Sequence, residues 1–213
     1  MKTDFHCHIL PGLDDGAQDI KEAVFLSRKL VEWGYTDAVC VAHSKARYRN
    51  NPQTVLRAYN ILNDALQREN VNLTLHPSME YRLSPEVWTE VQDNGWLLPW
   101  FGNHLLIEFP LKGWEYFGDL DPYDEVKKLL DDCYQPVLAH PERYHYLDME
   151  QLVKLRELGC EFQANLGSVY GFYGDGVREC AIMIAQKGWY NYIGTDLHNR
   201  LYADLYDKIK NCK

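Results

Sequence analysis

His6-Cys7-His8 is the first stretch of the sequence with side chains suited to chemistry. Thr3 to Phe5 read as the end of a strand, and on a strand residues i and i+2 point to the same side. The two imidazoles then converge on one point while Cys7 turns away. A His-x-His pair alone is unspecific. However, acidic and histidine residues recur where later predicted strands end: Asp15, His43, Glu80, Glu108, His140, Asp196 and His198. With His6 and His8 these make nine nitrogen and oxygen ligands on one face. Crowded carboxylates and imidazoles must be neutralised, and divalent cations do so. Nine ligands exceed what one ion needs, and two or three ions fit if a carboxylate bridges a pair. The set has no useful thiolate, so zinc, manganese and iron all suit it.

Such ions define a reaction. Water bridging them loses its proton near neutral pH and becomes a nucleophile, while the cations attract an anionic substrate. Arg143 follows His140, and Arg200 follows His198, so both would overhang the same rim. A guanidinium fork matches the oxygens of a phosphate. Lys45 and Arg47, in the loop after His43, are further candidates. Together these read as phosphomonoester hydrolysis by in-line attack. Taken singly, each residue has a plainer reading: Asp15 as a cap, Glu80 as an exposed charge, His140 as a core histidine, both arginines as surface groups. The joint pattern is what accident does not explain. His76, His104 and His145 lie off it and read as ordinary residues.

The elements that must position these residues alternate regularly. Asp19 caps a helix to about Trp33, stopped by Gly34. Asp37–Ala42 is a buried strand ending at His43. Asn51-Pro52 starts a helix to about Asn70. Leu73–Ser78 is the third strand, followed by Glu80, and Ser84-Pro85 begins a short helix towards Gln92. Leu105–Ile107 is the fourth strand, before Glu108. An aromatic and glycine-rich loop, Lys112–Asp121, has the character of a binding surface. A helix over Tyr123–Cys133 leads to the fifth strand, Pro136–Ala139, and His140. A helix over Met149–Leu158 leads to the sixth strand, Glu161–Ala164, and Asn165. A helix over Val177–Lys187 leads to the seventh, Tyr190–Thr195, and a last helix begins near Leu201. This alternation implies a parallel sheet, open or closed, whose reactive face lies at the C-terminal strand ends.

The 213 residues suit one domain, 1–213, with no linker or repeat. A net charge of −9 argues against general nucleic-acid binding, which needs a basic footprint. No apolar run approaches the ~20 residues of a membrane span, and Lys2-Thr3-Asp4 leaves no signal peptide to read. The six cysteines, at 7, 40, 133, 160, 180 and 212, form no Cys-x-x-Cys and read as reduced thiols, with the cytoplasm as default compartment.

The stretches HCHILPGLDDG (6–16), Glu80 after Met79, LIEFP (106–110), LAHPERY (138–144), QANLGS (163–168) and TDLH (195–198) together resemble the PHP (polymerase and histidinol phosphatase) superfamily. More narrowly, the chain is similar to the bacterial PHP-type protein-tyrosine phosphatases of capsule and exopolysaccharide synthesis. The resemblance implies a distorted (β/α)7 barrel with three metals, often manganese. One ion would take His6, His8, Glu80 and Asp196. A second would share Glu80 and take Glu108 and His140, and a third would take Asp15, His43 and His198. Arg143 would bind the substrate phosphate, with Arg200 a weaker match because the family's second arginine lies further on. Val41-Ala42-His43-Ser44 stands where the family often has Thr-Pro-His and a further histidine. The implied substrate is a phosphotyrosine on the tail of a polysaccharide-export tyrosine autokinase. Tyr48, Tyr144, Tyr170 and Tyr173 are candidates to flank its ring, and a phenolate leaves readily without a strong general acid. The competing readings are a small-molecule phosphomonoesterase of the histidinol-phosphate or sugar-phosphate type, a phosphodiesterase that the acidic charge disfavours, and a metal-holding partner without activity.

Overall fold

The structure is a computed structural model that describes residues 2–44, 47–85, 88 and 97–211. Among the described residues there are eight strands, which alternate with helices except between the third and the fourth. They are β1 (Thr3–Cys7), β2 (Asp37–Cys40), β3 (Thr74–Pro77), β4 (Glu80–Arg82), β5 (His104–Glu108), β6 (Gln135–Ala139), β7 (Glu161–Asn165) and β8 (Tyr190–Gly194). The helices are α1 (Ile20–Glu32), α2 (Pro52–Arg68), α3 (Pro122–Asp131), α4 (Met149–Leu158), the single turn α5 (Leu166–Val169), α6 (Asp175–Gln186) and α7 (Arg200–Asn211). The expected helix after Ser84 falls mostly on residues outside the described ones.

The helix starts follow the sequence signals. Asp19 accepts the Glu22 N–H to cap α1. Asn51 and Thr54 close a capping box on α2, with Pro52 in its first turn, and Asp148 and Gln151 do the same on α4. The one departure in strand count is the third strand, which breaks at Ser78-Met79 into β3 and β4.

All strand pairs are parallel, in the orders β1-β2-β3 and β4-β5-β6-β7-β8. Main-chain hydrogen bonds lace the two sheets at both seams. At one, Asp196 donates to His6 O (2.7 Å) and His8 to Leu197 O (2.9 Å). At the other, Glu80 donates to Ala42 O and Ser44 to Glu80 O, both at 3.0 Å.

The strands alternate between two cores. Ala38 and Cys40, Leu105 and Ile107, and Leu138 pack against helix residues such as Leu26, Leu30 and Leu62. Val39, Val41, Leu106, Val137 and Ala139 form a separate cluster with Trp100, Phe5 and Tyr192. Faces buried on both sides are what parallel strands require. In β1 the register slips by one residue between Asp4 and Cys7. Such a bulge re-aims side chains and is common beside active sites. Here it lets Phe5 pack in the inner cluster while His6 points into the site.

Candidate metal centre

Nine donors meet where the strands end. His6 Nε2 and His8 Nε2 lie 3.0 Å apart. Asp196 Oδ1 is 3.5 Å from the first and 3.6 Å from the second, and Glu80 Oε2 is 3.7 and 3.4 Å away. Glu80 also reaches His43 Nδ1 (2.6 Å) and, through Oε1, His140 Nε2 (3.2 Å). His43 Nε2 faces Asp15 Oδ1 at 3.3 Å, and Glu108 Oε2 lies 4.0 Å from His43 Nδ1. His198 Nδ1 lies 3.4 Å from Asp196 Oδ1. The donors fall into overlapping groups with atoms within 4.8 Å of one another: His6-His8-Asp196, His6-Glu80-His140, His43-Glu80-Glu108, His8-His43-His198 and Asp14-Asp15-His43. All nine residues expected from the sequence are among them, with Asp14 in addition.

Backbone geometry delivers these side chains. His140 and Asp196 sit in the left-handed region, with φ of 36° and 53°. Non-glycine residues adopt it at a cost and cluster there at functional sites. In both cases the strand has just ended and the chain turns sharply, which swings the side chain over the strand ends. Two glycines let the elements close. A Cβ on Gly16 would lie 2.1 Å from His8 O, and one on Gly194 would lie 2.4 Å from His6 Cβ.

A second set of contacts orients the imidazoles. Gln163 Oε1 lies 2.8 Å from His6 Nδ1, and Asp14 Oδ2 lies 2.9 Å from His8 Nδ1. The carbonyl of Asp196 is 2.8 Å from His198 Nδ1. Each acceptor holds the Nδ1 proton, so Nε2 is the donor atom offered to the centre. Asp14 also accepts the main-chain N–H groups of His43 and Gly16, both at 2.9 Å. Its oxygens are committed to these roles, so it supports the ligands. Asp14 and Gln163 escaped the sequence reading because their task is set by tertiary neighbours. The Asp14-Asp15 pair was the available signal: one carboxylate is buried and the other half exposed.

The electrostatics are those of a cation site. Burial works against charge on Glu80, yet the His43 and His6 rings hold its carboxyl well below the usual range. Burial likewise opposes protonated imidazoles, yet Asp14 helps push His8 up to about 9, and Glu80 helps push His43 up to about 10. His198 is pushed down to about 4 by burial and by the His8 charge. Protons on imidazoles thus supply positive charge among the carboxylates. Glu80 Oε2 is fully buried, faces three imidazole nitrogens and has no hydrogen bond. Metal bonds of about 2.1 Å place neighbouring donor atoms roughly 3–4 Å apart, the spacing found around this oxygen and Asp196 Oδ1. The donor set therefore fits divalent ions.

The cleft above this cluster has a volume of about 240 Å³. Arg143 lines it, with Nη1 3.0 Å from Asp196 Oδ2 and its guanidinium 4.4 Å above the Tyr173 ring. Arg200 is not brought to the cluster: it stacks on Phe25 at 4.0 Å. Arg47 reaches the rim, 3.3 Å from Asp15 Oδ2, while Lys45 lies outside the described residues. Of the tyrosines, Tyr48 stacks on His43 and Tyr173 underlies Arg143. Tyr144 is a core residue whose hydroxyl donates to Ala139 O and accepts from Phe109 N. Tyr170 lines a separate apolar groove of about 500 Å³ with Phe5, Trp33 and Tyr206, which holds none of the donors. His76 and His104 pair with Asp37 and Glu161 away from the cluster.

Residues 2–212 match the family model described as capsular polysaccharide synthesis, CpsB/CapC. The chain belongs to the CpsB/CapC family. Among its relatives is the tyrosine-protein phosphatase YwqE of Bacillus subtilis, 30% identical over 199 residues, which cover 92% of this chain and 77% of YwqE. The tyrosine-protein phosphatase CpsB of Streptococcus agalactiae is 21% identical over 207 residues, covering 92% and 82%. The fold matches a solved structure from work on YwqE of B. subtilis and CpsB of Streptococcus pneumoniae, described as unique metal-dependent tyrosine phosphatases. The TM-score is 0.81 at 30% identity, over 92% of this chain and 79% of the other. CpsB/CapC relatives thus named fit the phosphotyrosine reading and not the small-molecule alternative.

Proposed function

We propose that this chain is a metal-dependent phosphatase that hydrolyses phosphotyrosine on a protein of capsule or exopolysaccharide synthesis. The observation that carries this reading is the convergence of nine buried or half-buried donors beneath a cleft whose rim holds Arg143. The whole chain, 1–213, acts as one domain. Its strands make a distorted (β/α)7 barrel in which β3 and β4 count as one kinked strand, a reading supported by the hydrogen bonds at both seams.

His6, His8, Glu80 and Asp196 would hold one ion. Glu80, Glu108 and His140 would hold a second, and Asp15, His43 and His198 a third. Two to three divalent ions, manganese first and iron or zinc as alternatives, fit this oxygen- and nitrogen-rich set. Such ions supply Lewis acidity, which makes water nucleophilic at neutral pH and neutralises phosphoryl oxygens. The protein does the rest. Arg143 presents its fork to the phosphate, and Asp196 and Tyr173 fix that fork in place. Gln163 and Asp14 keep two imidazoles in the tautomer that binds metal. The phenolate leaves on its own, since its pKa of about 10 requires no strong acid.

The partner would be the tail of a tyrosine autokinase of polysaccharide export, met in the cytoplasm. Among the described residues no helix is long and apolar enough to cross a membrane. The decisive test is phosphate release by manganese-loaded protein from a phosphotyrosyl peptide, beside phosphoseryl peptide and histidinol-phosphate controls. Selective release from phosphotyrosine is expected. Release from the small phosphate alone would discard the protein substrate, and release from none would leave a metal-holding binding partner.

A further inference from the structure

Among the described residues ten line the cleft, and of these Leu111 and Tyr202 are the apolar or aromatic groups outside the donor set. Leu111 follows β5, and Tyr202 lies in the first turn of α7, so they come from separate elements. Tyr202 is placed by local contacts. Its main-chain N–H donates to Asn199 Oδ1 at 3.3 Å, and its ring lies 5.6 Å from the His198 imidazole. Tyr173 carries Arg143 on its face and accepts a hydrogen bond from Asn165 Nδ2 at 3.2 Å. Asn165 also donates to Asp196 Oδ2 at 2.7 Å. Tyr173 and Asn165 thus tie Arg143 to Asp196, while Tyr202 lines the same cleft from α7.

We propose that Tyr202 and Leu111 are the walls that receive the aryl ring of the substrate and make the cleft selective for aryl over alkyl phosphates. This rests on the phosphatase reading above and names the determinant of its specificity. A phosphate bound by Arg143 over the donor cluster directs its ester group away from the donors, into a cleft whose lining offers it these two side chains. An aryl group fills the space and covers apolar surface on both sides, whereas an alkyl ester leaves it to water. The cleft is smaller than the ~300–1,000 Å³ of sites that enclose a drug-sized ligand. It suits one ring and its phosphate, with the peptide outside.

The test compares two non-hydrolysable ligands, phenylphosphonate and methylphosphonate, titrated calorimetrically into manganese-loaded protein. Wild type is expected to prefer the phenyl compound by about tenfold. Tyr202→Phe keeps the ring and should keep that preference. Tyr202→Ala and, separately, Leu111→Ala should reduce it to about threefold or less while methylphosphonate affinity stays within about twofold. In kinetics, Tyr202→Ala should raise KM for phosphotyrosyl peptide more than it lowers kcat. No phenyl preference in wild type, or an undiminished one in both alanine variants, overturns the proposal. Wild type that leaves phosphotyrosyl peptide intact would instead overturn the phosphatase reading, so the two failures are distinct. Should Tyr202→Ala not fold, Tyr202→Leu and Leu111→Ala distinguish the same outcomes.

Discussion

Asp196 faces His6, His8 and His198 with one oxygen and Arg143 and Asn165 with the other. It thus joins the donor cluster to the rim where Arg143 is proposed to bind the phosphate. Asp196→Ala should lose both bound metal and turnover; an alanine variant with wild-type metal content and rate would refute the ligand assignment. Arg143→Ala should separate the two functions. Loss of one charged hydrogen-bonding group costs about 2 kcal/mol, roughly thirtyfold in phosphate affinity, while metal content by elemental analysis stays unchanged. Asp14→Asn tests the supporting contacts: metal affinity should fall by about 10–100-fold, with all nine donors still present. The convergence of these nine side chains was legible in the sequence, because residue type and position near a strand end marked them for one face. Asp14 and Gln163 were not, since each acquires its role from the imidazole it meets in the fold. Arg200 misled for a related reason. Adjacency to His198 in sequence says nothing about which way the first turn of a helix points, and this turn points Arg200 at Phe25.

Strands and helices were legible because polarity, caps and turn residues all agreed. What sequence could not carry was how closely the elements approach. Gly194 ends β8 against β1, where an added Cβ would meet His6 Cβ at 2.4 Å, His6 N at 2.7 Å and Gln163 Nε2 at 2.9 Å. A methyl group there cannot be relieved by rotating a side chain, because one of the opposing atoms is backbone. Gly194→Ala should therefore cost about 1–3 kcal/mol of stability and weaken metal binding, because it displaces the strand that carries His6. Gly176→Ala is the matched control. Gly176 lies in α6 with no atom within 4 Å of the added Cβ, so this change should be neutral or stabilise by up to about 1 kcal/mol. Urea midpoints of the two variants check this, and equal shifts would show that β8 and β1 approach each other less closely than these distances indicate. The break of the third strand was hidden for the same reason. Leu73–Ser78 reads as one strand with Glu80 after it, and only the pairing of β4 with β5 shows that the chain leaves one sheet for the other at Ser78-Met79.

At the scale of the molecule, a chain of net charge −9 gathers much of its buried charge at one end of its strands. Without divalent ions, protons on the imidazoles take their place. The consequence is a pH dependence with a definite sign. Neighbouring carboxylates lift His8 to about 9 and His43 to about 10 against the burial that opposes charge, both above the ordinary ~6.5 of histidine. Both rings are therefore protonated at neutral pH in the metal-free protein. A ligating nitrogen must give up its proton, so each ring that binds metal releases one. Metal affinity should rise steeply with pH from about 6 to about 8, by up to a factor of roughly ten per unit for each proton displaced. It should level off only as the solution approaches the raised values. Calorimetric titration of manganese into chelator-stripped protein, in buffers of different ionisation enthalpy, counts those protons directly. The same coupling raises stability, because ions bind the folded chain and not the unfolded one. At a hundred times the dissociation constant, one site contributes about 2.7 kcal/mol, so chelation should lower Tm and added manganese should restore it in a concentration-dependent way. Proton release near zero, together with a Tm indifferent to chelator, would mean that His8 and His43 only balance the carboxylates around them and bind no ion.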